Sequence, residues 1–422
     1  MSLTRAALLQ LRLSRRISTT CKNSQQNERV APARVASATN WVNRVLKPSR
    51  PNEPRPTTLW VANLPLDVPI EELLRLVLFG PIFRIKSKQL GQDRFVSLTF
   101  FEHSTAVAFY REITKNEVVV RGARLRFEWG RHTHGLQGAT PGSRVGTRAI
   151  FIHHIHRLGS EEQVHRQMAQ FGPLDRIFFR PNGDGFVDFL AVNHAVRAAQ
   201  TLRMDGLRVG FAEDRCLSAH RTYTAAVQNG ARQVILNNVP SDTSVAELCD
   251  HIRGGILQRI TFHPDNRVAF VDFLKPEAAL AFWRHAFYRG ITLSGQRLTA
   301  WMKADKPQLA RPVPHLVASV ANHGASRCLR ITTPFLSPNA IRHDFKRWGP
   351  IERAEIDNES VVIAYLDIED SIKAWRMMHT RPGYESARIE FAPDPCGEPL
   401  AGAQRTSQML QARMANILKP PP

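Results

Sequence analysis

Cysteine is scarce: the 422-residue chain has five, Cys21, Cys216, Cys249, Cys328 and Cys396. None stands in a Cys-x-x-Cys pair, so neither a zinc ribbon nor a disulfide framework is encoded, and the usage suits a reducing or matrix compartment. No apolar run approaches about 18 residues, which leaves no candidate membrane span. Acidic residues are also short, with 37 Asp and Glu against 57 Lys and Arg, a net charge of +20. No Gly-rich phosphate loop follows a strand, and no Gly-x-Ser-x-Gly turn occurs. Carboxylates are spread over solvated helical faces. The sequence therefore points to no enzyme and to no cofactor.

What is present is a globular composition, 43% hydrophobic, long enough for about two to four domains. The positive charge favours a polyanion as partner. Much of it is concentrated at one end. Residues 1–56 hold eleven Arg or Lys against Glu28 and Glu53 alone. Residues 1–27 carry Arg5, Arg12, Arg15, Arg16 and Lys22 with no acid. At about 100° per residue, Arg5, Arg12 and Arg16 fall within roughly 40° of one another, opposite Leu3, Ala6, Ala7, Leu11 and Ile17. Leu9 breaks the pattern. A basic, amphipathic, acid-free leader is the signature of a mitochondrial transit peptide, and Arg15-Arg16-Ile17-Ser18 resembles a matrix-protease site. A disordered basic tail or a membrane-surface helix is the competing reading. Residues 28–56, Pro-containing and aperiodic, are expected to be a flexible segment.

A repeat organises the rest. Four short β-type runs open it: Leu59–Leu64, Ile150–Ile155, Val234–Val239 and Leu329–Thr333. Each precedes a helical pattern that closes on Gly, which caps a final turn: before Gly80-Pro81, Gly172-Pro173, Gly254-Gly255 and Gly349-Pro350. Third strands are expected at Phe95–Phe100, Gly185–Phe189, Val268–Phe273 and Val361–Tyr365, with a second helix and a fourth strand after each. This βαββαβ order is an α+β, ferredoxin-like arrangement with two helices on one face of an antiparallel sheet. The expected modules are 57–131, 147–215, 231–306 and 326–396, followed by a tail at 397–422 with a possible helix around Gln404–Leu418. The segments His132–Gly146, Cys216–Gly230 and Pro307–Gly324 read as flexible linkers.

The repeats resemble the RNA-recognition-motif family over roughly residues 57–396. Leu-Trp-Val-Ala-Asn-Leu at 59–64 matches the family's first-strand signature, and Asn182-Gly183-Asp184-Gly185-Phe186-Val187-Asp188-Phe189 matches the third-strand one in part. The resemblance implies that single-stranded RNA binds on the open sheet face, its unstacked bases on strand aromatics. Module three, with Glu247–Gln258 and Ala269-Phe270-Val271-Asp272-Phe273, also resembles the third domain of fungal four-module RNA-binding proteins called negative regulators of differentiation. That layout has no import-like leader.

Strand alternation sorts the modules. Trp60 and Phe95 face outward in module one, with Ser97 at the family's other aromatic position. Module two presents Phe151 and Phe186, with Asp184 at the third aromatic position. Module three keeps Phe270 alone of the three, and module four has Arg330, Ser360 and Val362. Phe100, Phe189 and Phe273 belong to cores. On second strands the outward sets are Arg84, Lys86 and Lys88; Arg176, Phe178 and Arg180; Arg259, Thr261 and His263; and Arg353, Glu355 and Asp357. The first two suit phosphates, although many solvated strands carry such charges. Module four is acidic overall, with eleven acids against ten bases over Ser326–Cys396.

His153, His154, His156 and His165 lack the Cys or acid that would complete a metal site at ligand spacing, so no metal is expected. Trp301 falls off the core alternation of its strand and is a candidate extension of module three's face. The expectation is a mitochondrial, non-enzymatic single-stranded RNA-binding protein gripping mainly through modules one and two, with module four a candidate docking surface for ribonucleoprotein proteins. The alternatives are a protein-interaction scaffold or structural subunit of a mitochondrial ribonucleoprotein particle, and a cytoplasmic or nuclear location.

Overall fold

The computed structural model describes residues 56–90, 93–130, 146–302, 313–333, 336–357 and 360–400. The leader, the segment 28–55, most of the first linker and the tail helix lie outside the described residues. Four sheets of four antiparallel strands are present. In every one the first strand (Thr58–Ala62, Ala149–Ile152, Gln233–Asn237, Cys328–Thr332) pairs with the third and fourth, and the third with the second. The fold is thus four ferredoxin-like βαββαβ modules.

Local chemistry explains the elements. The first helices of modules two and three, Glu161–Ala169 and Val245–Asp250, begin with reciprocal capping boxes, Ser160 with Gln163 and Ser244 with Glu247. Alternate strand residues such as Leu59 and Val61, or Ile150 and Ile152, are fully buried under the helices. One hydrogen bond recurs at each sheet entrance. The residue before the first strand accepts from the end of the third: Phe100 N–H to Thr57 O, Phe189 to Arg148, Phe273 to Arg232 and Tyr365 to Arg327, all at 2.9 Å.

Modules two and four share a further device. Arg148 and Arg327 are each only 1% exposed at the side chain. Arg148 Nε donates to Asp214 Oδ2 (2.7 Å), and Nη1 donates to the carbonyl of Phe189 (2.8 Å). Arg327 makes a two-pronged bond to Asp394 (2.8 and 3.0 Å) and donates to Glu352 (2.7 Å) and to the Tyr365 carbonyl (2.9 Å). In each aspartate Oδ1 also accepts the backbone N–H two residues on, from Cys216 or Cys396. Even the side chain before each arginine repeats, with Thr147 and Ser326 hydroxyls donating across to Ala212 and Ala392 carbonyls.

The modules dock in two equivalent pairs. The second strand of module one meets the end of module two's third strand, with Ile85 N–H donating to Leu190 O (2.7 Å). In modules three and four, Ile260 N–H donates to Leu366 O (3.0 Å). Backbone bridges Arg84–Ala191 and Arg259–Asp367 complete the match. An arginine then reaches from each even module to the first helix of its odd neighbour: Arg215 to the Glu71 carbonyl (3.3 Å), Arg353 to the Ala246 carbonyl (2.9 Å). Beneath the first junction, a Cβ on Gly80 would sit 2.6 Å from the Leu217 nitrogen, so only glycine fits that approach.

Two expected linkers need correction. Most of Cys216–Gly230 belongs to a helix, Arg215–Gln228, N-capped by Asp214. Its residues Cys216, Ala219, Tyr223 and Ala226 recur at helical spacing and face protein, because the two small residues Ala219 and Ala226 permit close approach. Burial pushes the Cys216 thiol pKa up. The helix lies between modules one and three: His220 meets the Leu78 carbonyl (3.1 Å), and Tyr223 stacks on Trp283 with centroids 5.2 Å apart. Arg284 of module three clasps both Glu112 of module one (2.7 and 3.1 Å) and the Tyr223 hydroxyl (2.8 Å). Within Pro307–Gly324 a second helix, Pro314–His323, buries Leu316 against Leu274, Ile368 and Ile372.

Removing the buried guanidinium from Arg148 or Arg327 strands an acid inside the protein. Arg148→Ala and Arg327→Ala are expected to cost about 3–5 kcal/mol each in denaturant unfolding of the full chain. A loss below about 1 kcal/mol, the range of exposed ion pairs, would show that the clusters do not hold their modules closed.

Candidate nucleic-acid interface

The strand register defines one row of four residues across the open face of each sheet. In module one the row runs Glu128, Trp60, Ser97, Lys86. In module two it is Gly210, Phe151, Phe186, Phe178. Module three has Trp301, Ile235, Phe270, Thr261, and module four Glu390, Arg330, Val362, Glu355. Aromatic rings thus number one, three, two and none across the four rows.

Module two carries the most developed platform. Phe151 and Phe186 have centroids 5.0 Å apart, and Phe178 stands 6.4 Å from Phe186. Phe178 is 52% exposed, a large apolar ring held at the surface. His153 abuts Phe151 edge-on at 4.7 Å. Asp184, at the family's third aromatic position, instead fixes the turn after the first strand. Its carboxylate accepts the His154 N–H (2.9 Å) and the Asn182 amide (2.9 Å). The His154 bond is the main cause of its lowered pKa. His154 sits at φ 53°, as Asn63 and Asn238 do at φ 65° and 62° in modules one and three. Asn and His are among the non-glycine residues found most often in that left-handed geometry. Among the described residues no three His, Cys, Asp or Glu side chains converge as a metal site.

The basic residues divide. Lys86 and Lys88 are exposed beside Trp60 and Phe95, Lys88 lying opposite the half-buried Phe95. Arg84 is separated from that stripe, because its strand segment forms the junction with Ala191 of module two. Arg176 is engaged by Asp188 (2.6 Å) on the neighbouring strand, so its charge is already matched. Arg180 lies over the Phe186 ring at 4.6 Å and over Phe151 at 5.7 Å, a cation–π contact on the platform itself. It makes no ion pair among the described residues.

In module one Trp60 is 38% exposed, and its indole rests on Gly130, where a Cβ would come within 2.9 Å of Nε1. In module three Phe270 is half-buried beside His263 (5.7 Å), and Trp301 shares its face at 51% exposure. The alternation around Leu298, Ala300 and Met302 already marked Trp301 as outward. Its place in a shared aromatic row needed the register.

Four such sheets, three of them bearing surface aromatics, give the chain the fold of tandem RNA-recognition motifs. No family model matches the chain. It is 25% identical over 398 residues to the meiotically up-regulated gene 24 protein of Schizosaccharomyces pombe, a match covering 86% of this chain and 60% of that one. It is 24% identical over 436 residues to the RNA-binding protein MRN1 of Saccharomyces cerevisiae, covering 86% and 68%. The chain thus spans under two thirds of the first relative. Among solved structures, the Sex-lethal RNA recognition domains 1 and 2 from Drosophila melanogaster match at 22% identity, covering 37% of this chain and 99% of that one, with a TM-score of 0.16.

Two substitutions separate stacking from surface charge in module two. Phe186→Ala is expected to weaken single-stranded RNA by about 1–3 kcal/mol. Arg176→Ala is expected to change RNA affinity by less than about 1 kcal/mol, since Asp188 already holds that charge. Anisotropy titrations of both variants check this, and equal losses would contradict the division.

Proposed function

We propose that this chain is a single-stranded RNA-binding protein that acts in mRNA stability, processing or translation. The observation that carries the reading is the Phe151–Phe186–Phe178 row, three rings on one open sheet face with the Arg180 guanidinium above them. Such a face matches unstacked bases and is sequence-tolerant, because every base has a π-face. Trp60, Phe95 and Phe270 extend the same chemistry to modules one and three, and Lys86 and Lys88 supply phosphate contacts. A relative bearing the name RNA-binding protein over most of this chain supports the reading. No catalytic role is assigned to the platform: its rings and cations bind.

The cell compartment belongs to the same proposal. The acid-free basic leader at residues 1–27 supports import into the mitochondrial matrix. Module four supports a second role. Its row is Glu390, Arg330, Val362 and Glu355, with two acids that repel phosphate and no ring, so it suits a protein of a ribonucleoprotein particle better than RNA.

Replacing both Trp60 and Phe151 with Ala is expected to abolish most RNA crosslinking in cells while the chain stays folded by circular dichroism. Undiminished crosslinking sinks the binding assignment. A fluorescent reporter fused to residues 1–40 is expected to enter mitochondria; a diffuse signal removes the compartment and leaves the RNA reading untouched.

A further inference from the structure

A groove of about 620 Å3 opens between module two's sheet and module three. Phe178, Phe186 and Arg180 line one wall, Trp301 the other, and Tyr223 of the docked helix forms part of the floor. The two most exposed aromatic rings of the described residues, Phe178 at 52% and Trp301 at 51%, therefore open into one space. Each belongs to the central row of its own sheet, since Phe178 lies opposite Phe186 and Trp301 opposite Ile235.

Trp301 is held there rigidly. The residues on either side, Ala300 and Met302, are buried, and the Trp283 indole donates to the Ala300 carbonyl at 3.1 Å. Trp283 in turn stacks on Tyr223 of the helix that docks modules one and three. An indole half-exposed on a fixed strand is preorganised for a flat partner, with little side-chain entropy left to lose. Arg180 at the opposite wall has no ion pair among the described residues and is placed to meet a phosphate.

We propose that this groove is a nucleotide subsite joining modules two and three into one single-strand path. A strand whose bases stack on Phe151, Phe186 and Phe178 passes through the groove and places its next base on Trp301, from where Ile235 and Phe270 continue the row. This rests on the RNA-binding reading above. The occupant is nucleic acid because the groove continues the module-two platform, presents two flat rings and carries the Arg180 guanidinium, without an ion pair among the described residues, at its edge.

The test uses the full chain and oligouridylate of two lengths, about four and about ten nucleotides, since one sheet takes two or three bases. Trp301→Ala is expected to weaken the longer strand at least about fivefold and to leave the shorter one unchanged, while Trp301→Phe retains most of the affinity. Phe186→Ala is the control for the platform and is expected to weaken the longer strand. If Phe186→Ala weakens the longer strand and Trp301→Ala does not, RNA binds the sheet but does not enter the groove. If Trp301→Ala weakens both lengths equally, the residue is no added subsite and the path is wrong. Should Phe186→Ala change nothing, the platform reading itself falls. A protein segment as occupant predicts that Trp301→Ala abolishes a protein crosslink at the groove with RNA affinity intact, which also overturns the proposal.

Discussion

The architecture turns on a guanidinium buried where water cannot reach it. Arg148 and Arg327 sit at the mouths of modules two and four, and desolvating each is tolerable only because acids and carbonyls saturate it. The aspartate that balances Arg148 also caps the helix Arg215–Gln228, so one carboxylate closes a module and starts its connection. That helix then packs against modules one and three. In module three the corresponding Arg232 is met by Gln258 and a carbonyl, and in module one the position is Thr57. Modules two and four, which carry the Arg–Asp cluster, are the ones that present the end of the third strand to a neighbour.

This makes the chain a repeat of pairs rather than of single modules. Modules two and four match at two positions where module three does not: a hydroxyl precedes the arginine (Thr147 and Ser326, against Ala231), and a cysteine stands two residues after the aspartate (Cys216 and Cys396, against Pro307). The aromatic rows do not follow the pairing. Rings concentrate in modules two and three, on either side of the central helix, and the outermost module at the C-terminal end has none. Packing has thus been kept in duplicate while the surface diverged.

Much of the fold was legible in the sequence because it is written locally. Gly172 and Ser160 mark the ends of one helix, and Val234, Leu236, Ala269 and Val271 alternate as a half-buried sheet requires. The site was legible in part for the same reason: period two places Phe151 and Phe186 on one face. The misses all concern partners across space. Arg176 reads as a free cation until the register sets Asp188 beside it. Arg84 reads as part of a stripe until module two docks on its strand. Cys216, Ala219, Tyr223 and Ala226 carried a helical stripe, but small and polar neighbours such as Ser218, Thr222 and Thr224 masked it as linker.

The docked helix has one more consequence. Beads on slack string search for a ligand independently and gain by local concentration, whereas modules clamped at fixed spacing hold a template of set length. Across the junction of modules two and three, the Tyr223–Trp283 stack and the Arg284 clasp leave no slack. A polymer that spans it must therefore match a spacing that the protein sets, and selection by length and shape acts before a single base edge is read.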